Sequence, residues 1–430
     1  MKKLIVAIMS LTVIFSFSVI AFTQEIKHLD QLKEEFGSEF LLNHDVSLTN
    51  AMDILNSFPQ SRTGEIIYPD YFGGLYIDDN GNLVNLVVTE TNFDNHVRRL
   101  SENITIREVE FSYRELREIW EYITERIISR GDMIFYNTGG QFLDVSGNRI
   151  VVELIDYSEN GIELFRELMI DSPVIQFIEF IETDWTYGLG INFDTENIEY
   201  ESSEEHINNA VIGSETIDIL PANNITVTPG DPIRVYRNGQ WVGTGSIGYR
   251  AIATFDSRRG FVTAAHIANG GLQRGDIVHA QGRRIGILAG NDDARLSGVD
   301  AAGIQIDSNV SVAGQFSNIS LTPTVIQPIQ GGMVSSRGTP GGTSNPIIRS
   351  GTITNTSRNV TVNGVSLTRV VETNFSTLGG ESGGIIISPI PGAAATLRGV
   401  QGIIVAGSAN TTLFSHANNI RLAIGSWVTH

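Results

Sequence analysis

Hydrophobic and polar positions follow two different periods in the two halves of this 430-residue chain. In the first half, residues 111–130 carry apolar side chains every three or four positions, which predicts one amphipathic helix. A second short helix is predicted over 162–169, and an Asn-Gly turn between apolar runs in 74–88 predicts a hairpin. Two further apolar runs on either side of the second helix predict strands. The first half is therefore expected to be α+β.

From about Ile219 onward the helical period nearly disappears. Short runs of Val, Ile, Thr and Phe alternate with turn residues there, and this part contains 31 of the 44 glycines. That pattern is typical of a β-barrel or β-sandwich, so we expect an all-β second half. The stretch between the halves is acidic, polar and poor in aromatic residues, which indicates a linker open to proteolysis.

The first residues have the pattern of a secretory signal peptide. Lys2 and Lys3 precede an uncharged apolar run, 4–22. The end of this run, Val19-Ile20-Ala21, offers small residues near a cleavage point. The alternative is an uncleaved membrane anchor, because the run is nearly long enough to span a bilayer. In either case we expect the bulk of the protein to be exported. The chain has no cysteine, so neither disulfides nor thiolate chemistry are available to it.

Charge is divided unevenly between the halves. Residues 1–220 have a net charge of −25 and residues 221–430 a net charge of +6. Two independent domains would explain this, but opposite charges also suit halves that dock on each other. The mild positive charge lacks a basic cluster, so nucleic-acid binding is not expected. Metal-binding motifs are missing from the sequence, so we expect no metal and no cofactor.

The segment Leu378–Gly384, LGGESGG, surrounds Ser382 with four glycines, as a nucleophile on a tight turn would require. A serine nucleophile needs a base and a carboxylate that orients the base. Among the histidines, His266 stands out because it ends the strand-like run GFVTAAH, whereas His279, His416 and His430 have no comparable setting. For the carboxylate, Asp300 precedes an apolar run; its competitors are Asp292, Asp293 and Asp307.

The nucleophile elbow of α/β-hydrolases is excluded although GESGG fits its G-x-S-x-G pattern. In that fold the acid and the histidine follow the serine, and no Asp or Glu occurs after Glu381. The second half also lacks the alternation of strands and helices that the fold needs.

The three blocks GFVTAAH, the D-x-A-x-I pattern at Asp300, and GGESGG resemble the histidine, aspartate and serine blocks of chymotrypsin-like serine proteases. Within that family the chain resembles the bacterial branch of the streptogrisins and α-lytic protease. SSRGTPGGTSNPIIRSGTITN is similar to that branch's long hairpin, and NTTLFSHANNIRLAIGSWV to its closing strand and terminal helix. The resemblance covers about Thr226 to His430.

The resemblance implies two six-stranded antiparallel β-barrels with the catalytic residues His266, Asp300 and Ser382 at their junction. It also implies an oxyanion hole formed by the N–H groups of Gly380 and Ser382. The primary pocket would have Asn410 and Thr411 near its base and these substrate-binding residues on its two sides: Ser376, Thr377, Leu378, Gly379, Val405, Ala406 and Gly407. No charge occurs at these positions, so small or medium apolar residues are expected before the scissile bond.

Three departures from the family pattern stand in the sequence. The usual disulfides are absent, and Val405 stands where many relatives place a serine that bonds the triad aspartate. Glu381 replaces the usual Asp, which is expected to weaken a buried contact with a new N-terminus where relatives form one.

These observations predict a signal peptide (1–23), an α+β pro-region (24–200), an acidic linker with the maturation site (201–223) and a trypsin-like serine protease domain (224–430). The expected function is a secreted bacterial serine endopeptidase made as a zymogen. Its partners would be protein or peptide substrates and its own pro-region, as intramolecular inhibitor or folding assistant. We expect no stable membrane association after signal removal. The alternative is a catalytically inactive homologue acting as an extracellular binding or surface-anchored protein.

Overall fold

A computed structural model of the chain describes residues 31–62, 66–88, 104–130, 133–182, 185, 224–254, 256–288, 298–342, 345–394, 396–424 and 427–429. The expected signal peptide and the linker with its maturation site lie outside the described residues, as do Asp292 and Asp293. Across the described ranges, no helix combines the length and apolar character needed to cross a membrane.

The N-terminal half contains helices and strands in alternation. Its helices are α1 (Ser38–Ser57), α2 (Tyr113–Arg130) and α3 (Glu159–Leu168). Its strands are β1 (Phe72–Ile77), β2 (Leu83–Val88), β3 (Ile104–Val109), β4 (Thr138–Asp144), β5 (Arg149–Leu154) and β6 (Ile175–Glu179). They form two three-stranded units, β1-β2-β3 and β4-β5-β6, in which β2 pairs with β3 and β5 with β6 in parallel. The parallel pair β5 and β6 needs a crossover, which α3 supplies.

Helix α2 buries the face that the sequence predicts. Leu116, Trp120, Ile123 and Ile127 are all at most 1% exposed, and they pack in one cluster with residues of β2, β4 and β5. Helix α1 was not predicted from the sequence. It packs its buried residues against β1 and β2.

The described residues of the C-terminal half are almost entirely β-structure, with one α-helix among them, α4 (Ala417–Ile424). In chain order its strands are β7 (Ile225–Val227), β8 (Pro232–Arg237), β9 (Gln240–Ser246), β10 (Arg250–Ala253), β11 (Arg259–Thr263), β12 (Ile277–Ala280), β13 (Arg283–Ile287), β14 (Ala302–Ile306), β15 (Val310–Val312), β16 (Gln315–Phe316), β17 (Ile319–Val325), β18 (Met333–Gly338), β19 (Ile347–Val362), β20 (Val365–Thr373), β21 (Ile385–Pro389), β22 (Leu397–Gly407), β23 (Thr412–His416) and β24 (Trp427–Thr429).

Apart from β7 and β15, which pair with each other in parallel, these strands form two sheets on a shared core. The first has the order β24-β10-β11-β14-β13-β12-β8-β9, and the second contains β16 to β23. Val262 and Ile304 of the first sheet belong to the same buried cluster as Ile385 and Ile403 of the second. The expectation of an all-β C-terminal half preceded by an α+β half is confirmed. Both sheets differ from the expected six strands: the first has eight, including β24, and the second has eight strands of the C-terminal half and is extended by β4, β5 and β6. In addition, β17 pairs with β22 in parallel.

The second sheet continues from one half of the chain into the other. Strand β4 pairs antiparallel with β19, with Asn359 opposite Gln141. Strand β19 is 16 residues long, and its residues Arg358 and Val360 pair with β20 on one edge and with β4 on the other. Strand β4 thus satisfies backbone groups that would otherwise lie on an open edge. The unit β4-β5-β6 therefore becomes part of the same sheet as the C-terminal strands.

A second contact between the halves is formed by residues 327–333. The N–H of Ile77 donates to the carbonyl of Gln330 at 2.8 Å, and Ile329 packs into the core of the α1-β1-β2 unit. Gly331 has a φ of 79°, and a Cβ there would lie 1.8 Å from the carbonyl oxygen of Ile77. The close approach of the two backbones at this point therefore depends on a glycine.

Candidate active site

Strand β11 leads directly to His266. The strand ends at Thr263, and the small buried residues Ala264 and Ala265 let the chain turn into a short 3-10 helix, Ala265–Ile267. His266 lies in that helix and is 6% exposed. The histidine is thus presented just after the end of a strand, as the sequence predicts, and only a small part of it is exposed.

Asp300 lies next to His266 because the strands that carry them are paired. Thr263 of β11 is opposite Ala302 of β14, so Asp300, two residues before β14, lies beside the residues that follow β11. Oδ1 of Asp300 accepts the backbone N–H of His266 at 3.0 Å, and Oδ2 lies 2.5 Å from His266 Nδ1. Asp300 is fully buried and has a φ of 49°, which Asp tolerates better than most residues.

The structure shows that Asp307, the described competitor of Asp300, does not contact His266. Asp307 lies just after the other end of β14, where its Oδ2 is 3.0 Å from Nε of Arg284. It therefore has a surface ion pair rather than a histidine as its partner.

Ser382 completes a line of three hydrogen-bonded side chains. Its Oγ lies 2.9 Å from Nε2 of His266, and the serine is 2% exposed. The contacts assign the tautomer of His266: Nδ1–H donates to Asp300, and Nε2 accepts the hydroxyl proton of Ser382. This arrangement can deprotonate the serine as its oxygen forms a new bond.

Two backbone N–H groups next to Ser382 are available to a ligand. Within the described part of the chain, the N–H groups of Gly380 and Ser382 donate to no protein acceptor, whereas the N–H of Glu381 donates to Leu378 O at 3.1 Å. Gly380 has a φ of 91°, and a Cβ there would lie 2.7 Å from the nitrogens of Gly341 and Gly342. Only glycine fits this turn.

Glu381 pairs with Arg349. Its Oε1 lies 3.2 Å from Arg349 Nε, and its Oε2 accepts the N–H of Leu378 at 2.5 Å. Burial raises the pKa of the Glu381 carboxyl, and the bonds from Leu378 and Arg349 partly offset that effect. The partner of the buried Glu381 carboxylate is therefore the side chain of Arg349, and not a new N-terminus as in some relatives.

The expected pocket positions form two neighbouring segments. Residues 376–379 precede the nucleophile turn, and residues 405–407 end β22; a Cβ on Gly407 would lie 2.3 Å from Thr377 Oγ1. Ser376, Val405 and Ala406 lie on these segments, and Val405 and Ala406 are buried, whereas Leu378 is 54% exposed. The carbonyl of Gly379 accepts the N–H of Gly341 at 2.5 Å.

Hydroxyl groups line the space beside these segments. Thr412 Oγ1 donates to the carbonyl of Phe375 at 2.7 Å and lies 3.1 Å from Thr377 Oγ1, whose hydroxyl can donate to it. Asn410 and Thr411 lie in a turn that is closed by the N–H of Ser408 donating to the carbonyl of Thr411. Thr412 was not among the site residues predicted from the sequence. It is the first residue of β23, a strand whose residues are all buried, and its role is visible only in the structure.

Val405 is a buried apolar residue, so it provides no hydroxyl for Asp300. Within the described residues, the donors to the Asp300 carboxylate are the backbone N–H and Nδ1 of His266. In the same ranges, no group of three or more His, Cys, Asp or Glu side chains could hold a metal ion.

Comparisons with known proteins match the two halves separately. Residues 22–115 match the family model of a Pro-like N-terminal domain, and residues 114–179 that of a Pro-like C-terminal domain. None of the curated proteins compared with this chain matches it. The two Pro-like models together match residues 22–179, which confirms the resemblance of the N-terminal half to the pro-regions of α-lytic-type proteases.

Among solved structures, a Nocardiopsis protease is 21% identical and has a TM-score of 0.36; the match covers 48% of this chain and 100% of that protein. Thermobifida fusca protease A is 22% identical with a TM-score of 0.36, over 47% of this chain and 98% of its own. A homologue of α-lytic protease, N4, is 16% identical with a TM-score of 0.34, over 47% of this chain and 98% of its own.

Proposed function

We propose that residues 224–430 are a serine endopeptidase that is made as a zymogen with residues 24–200 as its pro-region. The observation that carries the proposal is the pair of contacts at His266, 2.5 Å to Asp300 and 2.9 Å to Ser382, beside two unpaired N–H groups. Such a set provides a nucleophile, a base, an orienting carboxylate and donors for a developing oxyanion.

The mechanism follows from these contacts. Ser382 Oγ attacks the peptide carbonyl carbon while His266 Nε2 takes its proton, and Asp300 stabilises the resulting imidazolium. The carbonyl oxygen becomes an oxyanion that accepts the N–H groups of Gly380 and Ser382. Collapse expels the amine, which takes the proton from His266 and leaves an acyl-enzyme. Water, deprotonated by His266, then releases the acid and restores the serine.

Specificity is proposed to favour small or medium apolar residues before the scissile bond. The pocket positions 376–379 and 405–407 bear no charge, so a buried charged side chain would lack a partner. The hydroxyls of Thr377 and Thr412 already form a hydrogen bond with each other. The pocket surface is therefore uncharged and has little free hydrogen-bonding capacity for a charged side chain.

The N-terminal half is proposed to act as an intramolecular inhibitor or folding assistant. The pairing of β4 with β19 supports this role, because it joins the pro-region to the sheet that carries the nucleophile turn. We propose that the linker 201–223 contains the maturation cleavage site and that residues 1–23 direct export. A chain that lacks residues 24–218 is expected to remain inactive after expression, and full activity would contradict the folding role.

The experiment that tests the catalytic proposal measures hydrolysis of peptide amides with Ala or Val before the scissile bond. Ser382→Ala and His266→Ala are expected to lose activity, and Asp300→Asn to lower kcat by about 10⁴-fold. Asp307→Asn is the matched control, because this carboxylate follows the same strand but contacts Arg284. Unchanged hydrolysis by Ser382→Ala would contradict the proposal.

A further inference from the structure

Ser246, the last residue of β9, lies beneath the nucleophile turn. It is fully buried, and its hydroxyl has two partners. The hydroxyl donates to the carbonyl of Gly380 at 2.9 Å and accepts the backbone N–H of Thr339 at 2.9 Å. The side chain of Ser246, in the first sheet, thus forms hydrogen bonds both to Gly380 of the nucleophile turn and to Thr339 in the loop that follows β18.

The backbone of Ser246 holds the same turn. Its N–H donates to the carbonyl of Ser382 at 2.8 Å, and its own carbonyl accepts the Thr263 hydroxyl at 2.9 Å. Thr263 is the last residue of the strand that leads to His266. Ser246 is therefore bonded to both residues whose N–H groups are unpaired and to the strand that presents the histidine.

The orientation of the Gly380 N–H requires such support. The N–H of Gly341 donates to the carbonyl of Gly379 at 2.5 Å, and in a trans peptide the N–H of Gly380 points in the opposite direction, away from Gly341. Gly380 sits between this peptide and the one that Ser246 holds. Because glycine allows many backbone conformations, a turn of two glycines keeps one orientation only when its carbonyls are bonded.

We propose that Ser246 is a positioning residue for the oxyanion hole, which holds the Gly380 N–H in the direction of the developing oxyanion. This role rests on the proposed peptidase function and deepens it. Electrostatic stabilisation of an oxyanion depends on donors that are oriented before the reaction begins. Loss of the Ser246 hydroxyl leaves the Gly380 carbonyl and the Thr339 N–H buried without a partner, so the turn gains alternative orientations.

The test compares Ser246→Ala with Ser388→Ala in the full chain. Ser388 is a matched control: it is 3% exposed, donates to the carbonyl of Met333 at 2.9 Å and accepts a bond from Gln401 at 2.9 Å. Both variants should lose similar thermal stability. Only Ser246→Ala should lower kcat, by about 10- to 100-fold, with KM changed less than about twofold. Its affinity for a peptide boronic acid, which mimics the tetrahedral intermediate, should fall by a similar factor.

Each rate is divided by the concentration of active sites, which is titrated with a fluorophosphonate, so that unfolded molecules do not contribute to kcat. If Ser246→Ala does not fold, Ser246→Cys keeps the shape of the side chain with a slightly larger atom and a weaker donor, and it should show a smaller loss of kcat in the same direction. Wild-type kcat in the folded variants would overturn the positioning role alone. A wild-type chain that takes up no fluorophosphonate would instead contradict the proposed function.

Discussion

The Nη2 atom of Arg358, in the C-terminal half, donates a hydrogen bond to the Oε2 atom of Glu153, in the N-terminal half, at 2.7 Å. Nη1 of the same arginine lies 3.4 Å from Glu372 in its own half. Arg358 is 7% exposed, and the Glu153 side chain is 13% exposed. At the surface of the same interface, Arg369 pairs with Glu121 at 2.6 Å. The opposite charges of the two halves therefore meet in specific ion pairs.

The first prediction concerns this interface. Glu153→Gln should weaken the attachment of the two halves by about 2 kcal/mol, because it removes a charge from a desolvated pair. The measurement is denaturant unfolding of the full chain with Ser382→Ala present to prevent cleavage. Glu110→Gln is the control, since its pair with Arg149 is exposed and lies within one half; there we expect less than about 0.5 kcal/mol. Equal effects would contradict the role of the buried pair.

The sequence predicts local elements well because their signals are local. The helix α2 and the hairpin of β1 and β2 follow from spacing and from an Asn-Gly turn within a few residues. The order of His266, Asp300 and Ser382 could be recognised because each is embedded in a short distinctive block.

Contacts between distant parts of the chain could not be predicted in this way. The pairing of Asn359 with Gln141 and the bond from Arg349 to Glu381 depend on how whole strands are arranged in space. Ser246 lies in a run of Gly, Thr and Ser that has no chemical signature of its own, so only its buried hydrogen bonds reveal it.

The second prediction is that acid weakens the attachment of the N-terminal half through His44. This histidine, on α1, is 2% exposed, and its Nε2 accepts the backbone N–H of Met333, in the C-terminal half, at 2.8 Å. Burial, and secondarily the positive charge of Arg398, lower the pKa of His44 to about 4. Of the charged groups near it, Arg398 belongs to β22, and Asp45 on α1 attracts that arginine.

Because the pKa of His44 is lower in the docked state, the attachment is strongest above pH 6.5 and weakens as pH falls toward 4. At pH 5 the loss should be about 2 kcal/mol. His44→Gln keeps an acceptor for Met333 without titrating, so its attachment should depend less on pH. The comparison isolates His44 from His416, whose pKa is also lowered to about 4 by burial. Identical acid sensitivity in the two proteins would contradict this account.

The third prediction concerns the ion pair behind the nucleophile. Arg349→Gln leaves the carboxylate of Glu381 buried without its cation, which should cost about 3 kcal/mol of folding stability and loosen the turn around Ser382. Guanidinium unfolding and fluorophosphonate titration measure the two effects. The control is Arg284→Gln, whose pair with Asp307 is solvent-exposed and worth less than about 1 kcal/mol. A stability equal to that of the control would be inconsistent with a buried pair.

The fourth prediction tests the assignment of the pocket. Gly407→Ala places a Cβ 2.3 Å from Thr377 Oγ1 and 2.8 Å from the carbonyl of Thr377. One of the two segments must then move, which should lower kcat/KM for peptide amides about 10-fold or more. Gly314→Ala is the control, because its added Cβ would meet Arg250 at an ordinary contact distance of 3.6 Å. Equal kcat/KM for both variants would contradict the assignment of residues 405–407 to the pocket.

The central claim is that Ser382 is an activated nucleophile, and the most direct test locates a covalent label. The full chain is incubated with a fluorophosphonate, its intact mass is measured, and the labelled peptide is sequenced by mass spectrometry. The account predicts one inhibitor mass per molecule, carried by Ser382 on a species that begins within or near residues 201–223. Ser382→Ala should take up none. A folded protein that gains no label, or gains it on another residue, would contradict the claim.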